Sequence, residues 1–299
     1  MYWNYNISYV NVVVFIMKKT LKIEKKDSLI LRFLYNTFIG RIILLFITRV
    51  FFSKVITKFL NSRSSKILIP FFVKKYNINK ELYEKKNYKS FNDYFIRKKK
   101  SEYINIVNDS DILISPCDCK LSVYEASNKI FKIKHSFYNL ETLLKSKRLA
   151  NEYKDGYVII CRLTPDDYHR YCYIDDGYHD ANKKIKGVLH TVRTIAVEKK
   201  NVYVTNSRSY TVLDTINFGQ VIQIEVGALM VGKIKNKHTN YRFKKGEEKG
   251  YFKYGGSTII LLVKKDVVRI DDYLIDNTKN GYETIINIGE RIGKKIKED

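Results

Sequence analysis

The sequence predicts an α+β protein in which a basic helical N-terminal segment leads into a β-rich catalytic domain. Three observations carry that expectation. Between residues 27 and 100 apolar residues recur on helical faces. From Ile112 onward, short runs rich in Val, Ile and Tyr are separated by Gly, Asn or Asp. The 299 residues are 45% hydrophobic and include 24 Tyr and 16 Phe, enough for a sizeable core and incompatible with a disordered chain.

The elements follow in order. "YVNVVVFIM" (9–17) is short, lacks a basic n-region and runs into Lys-Lys. A cleavable signal peptide is therefore not expected. Met17 is an alternative start to Met1, and an intracellular, reduced setting is the expectation. "SLILRFLYNTFIGRIILLFITRVFFSKVITKFL" (28–60) interleaves apolar residues with Arg32, Arg41, Arg49, Lys54 and Lys58. A membrane span needs about 20 apolar residues, more than this segment offers without interruption. It suits a helix lying in a bilayer interface, cations toward lipid phosphates, and equally an amphipathic helix packed on its own domain. "KSFNDYFIRKKK" (89–100) closes the region with a charge run, which sets the expected domains at 1–105 and 106–299.

Beyond it, "DGYVIICRL", "KNVYVTN", "QVIQIEVGALMVGKI" and "STIILLVKK" read as strands, without an internal repeat. The net charge of +24 points to an anionic partner, although a Lys-, Asn-, Ile- and Tyr-rich composition also arises from AT-rich coding. No RNP-like, helix-turn-helix or zinc-finger pattern accompanies the charge, so nucleic acid is not the expected partner. Cys117, Cys119, Cys161 and Cys172 form a CxC pair and two scattered thiols, a spacing that fits zinc poorly. No metal is expected.

Four stretches hold the candidate chemistry: "ISPCDCKL" (114–121), "LTPDDYHRYCYIDDG" (163–177), "FGQVIQIEVGALMVGKI" (218–234) and "KKGEEKGYFKYGGSTIILL" (244–262). They supply an acid (Asp118), an imidazole (His169) and a hydroxyl (Ser257) directly after Gly255 and Gly256. Acid, base and hydroxyl are the parts of an activated nucleophile. Singly, Asp118 reads as a turn residue after Pro116, His169 as a satisfied polar group and Ser257 as a strand start.

In this order and with these flanks, the chain resembles the phosphatidylserine decarboxylases, pyruvoyl-dependent enzymes that make phosphatidylethanolamine. The resemblance covers nearly the whole chain and is most specific in the GEE–GYF–GGST run. It implies a self-processing carboxy-lyase whose Gly256–Ser257 bond is broken by the chain itself. The Ser257 hydroxyl would attack the preceding carbonyl, elimination would follow, and hydrolysis would leave a pyruvoyl group on residue 257. Residues 1–256 and 257–299 would stay associated. The resemblance casts His169 as the base and Asp118 as its orienter, and needs neither metal nor pyridoxal phosphate. The pyruvoyl carbonyl would take the lipid's amine and act as electron sink for loss of CO₂.

The implied partners are phosphatidylserine and an anionic phospholipid membrane, with the enzyme peripheral on the cytoplasmic side of the cell membrane. A homodimer is left open. The alternatives are decarboxylation of another serine-headed lipid, or a non-cleaving membrane-binding paralogue. Two positions depart from the family pattern: Cys172 stands where many members carry a second His, and Cys119 where a small residue or Gly is usual. The first leaves the base for self-cleavage open between His169 and a group near Cys172.

Overall fold

One large antiparallel sheet organises the β-rich part. The computed structural model describes residues 20–22, 28–84, 87–133, 136–229, 233–255 and 257–297. The apolar run 9–17, both candidate starts and Gly256 lie outside them. Among the described residues, the sheet runs Thr20–Lys22, Tyr282–Ile286, Cys119–Glu125, Tyr157–Leu163, Ser257–Val263, Gly219–Val226, Arg208–Thr215, Gly177–His179 and Tyr241–Phe243. Lys183–Ile185 adds a further partner to Arg208–Thr215. Ser257–Val263 occupies the middle, and all seven of its residues are buried. Its sequence, STIILLV, has the continuous apolar character that a strand covered on both faces requires. Two three-stranded sheets flank it: Ile234–Asn236, Glu248–Phe252, Arg170–Cys172, and Val268–Ile270, Arg291–Lys295, Ile112–Ile114.

The expected α+β class is therefore met, with helices concentrated before residue 100. Leu29–Asn36 is capped by Ser28, whose hydroxyl accepts from Leu31 N, and Phe38–Ile47 by Thr37, which accepts from Gly40 N. The two helices meet at a 98° bend, and no single described helix is long and apolar enough to cross a membrane. Gly40 is required at that corner, because a Cβ there would lie 2.2 Å from the Phe33 carbonyl oxygen.

These two helices and the next, Val50–Leu60, have two apolar faces with different fates. Leu34, Tyr35, Leu44 and Leu60 are buried, and Tyr35 Oη hydrogen-bonds His190 Nδ1 at 3.0 Å. On the other side Leu29 is 81% exposed, Phe38 and Phe51 77%, and Phe46 69%.

The run 89–100 departs from its reading as a plain charge cluster. Phe91–Phe95 is a short helix capped by Ser90 and tied to Ser65 Oγ through the Phe91 N–H (2.9 Å). After it the chain is extended and bridges Tyr83 through Lys99. Alternation then buries Arg97 and Lys99 and leaves Lys98 in solvent. Two of the cations point into the protein.

Candidate active site

The central strand opens on Ser257, whose register partner is Leu163 at the end of Tyr157–Leu163. The loop leaving Leu163 leads to His169. Asp167 organises it: one carboxylate oxygen accepts from Thr164 N (2.6 Å) and Thr164 Oγ1 (2.9 Å). The other accepts from Lys120 Nζ at 2.6 Å. Lys120 is buried on the neighbouring strand and also donates to Thr164 Oγ1. Burial pushes the Asp167 carboxyl up to about 6 despite the opposing pull of Lys120.

His169 is fully enclosed, its ring 4.2 Å from Phe95 between centroids. Phe95 in turn meets Tyr254, three residues before Ser257, at 5.1 Å. The backbone adds a second link, since Phe252 N donates to the His169 carbonyl at 2.9 Å. His169 and the start of the Ser257 strand are thus bound to the same aromatic and backbone framework.

The imidazole's protonation follows from one contact. His169 Nδ1 lies 2.9 Å from the Asp167 carbonyl oxygen, which can only accept. Nδ1 therefore carries the proton, and Nε2 presents a lone pair. Burial, reinforced by the Arg97 charge, pulls the imidazole down to about 3 and keeps it neutral at physiological pH. Nε2 is buried without a hydrogen-bond partner, as are Ser257 Oγ and Thr258 Oγ1. Orphaned buried polar atoms are rare and need a reason. Ser257 Oγ and Thr258 Oγ1 are hydroxyls at the start of the central strand, and His169 Nε2 is a proton acceptor on the loop that leaves Leu163, the register partner of Ser257. Gly255, two residues before Ser257, has φ +128°, a value open to glycine and closed to other residues.

Asp118 is placed differently from expectation. Its carboxylate accepts from Lys99 Nζ at 2.5 Å and from Ile288 N at 2.9 Å. No hydrogen bond joins it to His169, whose Nδ1 is taken by Asp167 O. In this structure Asp118 therefore holds Lys99 rather than the imidazole. The physical reason is the buried Lys99 ammonium: a buried carboxylate pairs with the cation within reach. Cys172 lies nearby, buried, with its N–H donating to Pro116 O. Burial pushes its thiol up to about 12, so it stays protonated and is a poor base.

The profile of the phosphatidylserine decarboxylase family matches residues 91–294. This chain belongs to the phosphatidylserine decarboxylase family. It is 50% identical over 266 residues to phosphatidylserine decarboxylase proenzyme 2 of Clostridium acetobutylicum, covering 88% of this chain and 91% of the relative. It is 40% identical over 285 residues to the proenzyme of Clostridium tetani, covering 93% and 96%. With the proenzyme of Clostridium novyi it shares 39% over 273 residues, covering 89% and 92%.

The phosphatidylserine decarboxylase match begins at Phe91, so the Phe95 helix and Lys99 fall within it. Sequence reasoning singled out Ser257 and His169 but missed Lys99, Phe95 and the Asp167 carbonyl. For Lys99 a signal existed: "IRKKK" following a helix can alternate as a strand does, which places every second cation inside.

Proposed function

We propose that this chain decarboxylates phosphatidylserine to phosphatidylethanolamine and CO₂, using a pyruvoyl group that it makes from its own Ser257. The observation that carries the reading is the pair of unpartnered buried atoms, Ser257 Oγ and His169 Nε2, beside a glycine at φ +128°. In processing, His169 Nε2 takes the Ser257 hydroxyl proton as Oγ adds to the Gly256 carbonyl carbon. The C–N bond breaks, the residue 257 nitrogen gains the proton, and Gly256 is left esterified to Oγ. Loss of the Cα proton expels the Gly256 carboxylate and leaves dehydroalanine. Water then replaces nitrogen, releasing ammonia and leaving residue 257 as pyruvoyl. The fit lies in the chain itself: Ser257 is the first residue of a fully buried strand, which shields the new end from bulk water.

When formed, the pyruvoyl carbonyl supplies the electron sink for loss of the α-carboxylate. The remaining tasks fall to the surrounding side chains. His169, held by Asp167 O and Phe95, would take a proton at Nε2 from the lipid's ammonium group and give it to the carbon that loses CO₂. Asp118 fixes Lys99 against the strand that carries Cys119 and Lys120. A protonated Cys172 leaves the base role to His169.

We place the enzyme peripherally on the cytoplasmic face of the cell membrane. The exposed residues Leu29, Phe38, Phe46 and Phe51 would enter the lipid interface beside Arg32, Arg41, Arg49 and Lys54.

Ser257→Ala tests the chemistry. Mass spectrometry of purified wild type should show two chains, 1–256 and 257–299, the latter beginning with a blocked pyruvoyl end. Ser257→Ala should remain one 35.3 kDa chain and release no CO₂ from phosphatidylserine. Activity in that variant, or an uncut active wild type, overturns the reading. A wild type that cuts itself but acts only on another serine-headed lipid overturns the substrate alone.

A further inference from the structure

Beneath the site lies a second group of reactive atoms that the decarboxylation does not use. Cys117 and Cys119 flank Asp118, and Cys161 sits on the adjacent strand, paired with Leu121 on one side and Ile259 on the other. Their three sulfurs lie within 4.8 Å of one another, and all three side chains are buried and free of disulfides. The spacing argument against a metal considered each thiol by its place along the chain. The sheet brings Cys161 to the CxC pair across a distance of more than 40 residues.

We propose that Cys117, Cys119 and Cys161 form a three-coordinate site for a soft, monovalent thiophilic cation, copper(I) being its chemical type. A metal bonded to thiolates at about 2.3 Å holds its sulfurs roughly 4 Å apart, which this cluster satisfies. Among the described residues no His, Asp or Glu completes the donor set. Zinc prefers four ligands in a tetrahedron, and this cluster supplies three. A purely sulfur, three-donor set selects copper(I) over the harder divalent ions.

Binding forms copper–sulfur bonds, and the displaced thiol protons pass to the buffer without any change of oxidation state. Ser115 Oγ, 3.8 Å from Cys119 Sγ and hydrogen-bonded to Cys117 O at 2.8 Å, holds the CxC turn in place.

The test uses the full chain, reduced and handled without oxygen, titrated with copper(I) against a competing copper(I) chelator. Wild type should take up one equivalent and develop a thiolate-to-copper ultraviolet band. Cys161→Ser should weaken binding by more than the roughly 10–100-fold seen for outer-shell changes. Cys119→Ser should do the same, and circular dichroism checks that both variants fold. Cys172→Ser, outside the cluster, should bind like wild type. Wild-type uptake no stronger than that of a folded Cys161→Ser or Cys119→Ser chain overturns the site. So does equal loss in Cys172→Ser, or zinc(II) bound in preference to copper(I) under the same competition.

Discussion

Two buried polar groups on neighbouring strands of the same sheet contrast sharply. In one, Lys249 Nζ donates to Glu225 Oε1 at 2.7 Å, and Asn236 Nδ2 and Gln223 Nε2 add donors to the same carboxylate. Both ions are essentially without solvent exposure. In the other, His169 Nε2 and Ser257 Oγ have no partner at all. The first group joins Glu248–Phe252 to Gly219–Val226 and has the charge balance of a structural element. The second tolerates unmade hydrogen bonds, each worth about 1–3 kcal/mol when buried. The charged pair is fully matched, whereas the proton acceptor and the hydroxyl of the proposed chemistry are left open.

Substitutions can break that contrast. The largest effect on stability belongs to Glu225→Ala, which strands the Lys249 ammonium in the interior. Denaturant unfolding of the uncut Ser257→Ala chain should show a loss of about 3–5 kcal/mol. A loss below 1 kcal/mol would mean that the pair is not the structural one. His169→Gln reverses the pattern. It should slow self-cleavage, followed by electrophoresis over time, by about 10²–10⁴-fold, with little change in unfolding at pH 7. Rapid cleavage would transfer the base role elsewhere.

Acid sharpens the comparison further. The folded His169 titrates near 3 and the unfolded residue near 6.5. Between those values the unfolded chain binds the extra proton, so the stability contribution is complete above pH 6.5 and is lost as pH falls toward 3. Its slope is at most about 1.4 kcal/mol per pH unit. Asp167, raised from 3.8 to about 6, acts in the opposite sense, favouring the folded state below pH 6. The quantity to measure is therefore the difference between the uncut Ser257→Ala chain and the same chain carrying His169→Gln. The chain that keeps His169 should lose more stability on going from pH 7 to 5.

The smallest effect on folding concerns the helical face. Phe46→Ser and Phe51→Ser should change unfolding by about 0.5 kcal/mol or less, yet weaken sedimentation with anionic vesicles. Unchanged vesicle binding by the double variant would remove that face from the membrane proposal.

The sequence showed the α+β class because its two textures are local: 3.6-residue periodicity before residue 100 and short β-branched runs after it. Ser257 was legible because two glycines precede a continuous apolar strand. The wiring around it was not. Lys99 and Asp118 are 19 residues apart on different elements, and nothing in either neighbourhood announces the pairing. The contact that sets the His169 tautomer uses a backbone carbonyl, an atom every residue carries and no residue type betrays. Cys161 meets Cys117 and Cys119 through strand register, which sequence spacing cannot express.

Ser257–Val263, in the middle of the sheet, hydrogen-bonds to Tyr157–Leu163 on one side and Gly219–Val226 on the other. With the proposed cut made before it, the chain that begins with this strand has no covalent tie to either neighbour. Folding of the precursor is a one-molecule event, but reassembly of the cut protein needs two molecules to meet and one to thread between strands already paired. The mature enzyme should therefore carry a history: its fold is reached only through the precursor. Once unfolded it should recover poorly, and the less so the more dilute the solution.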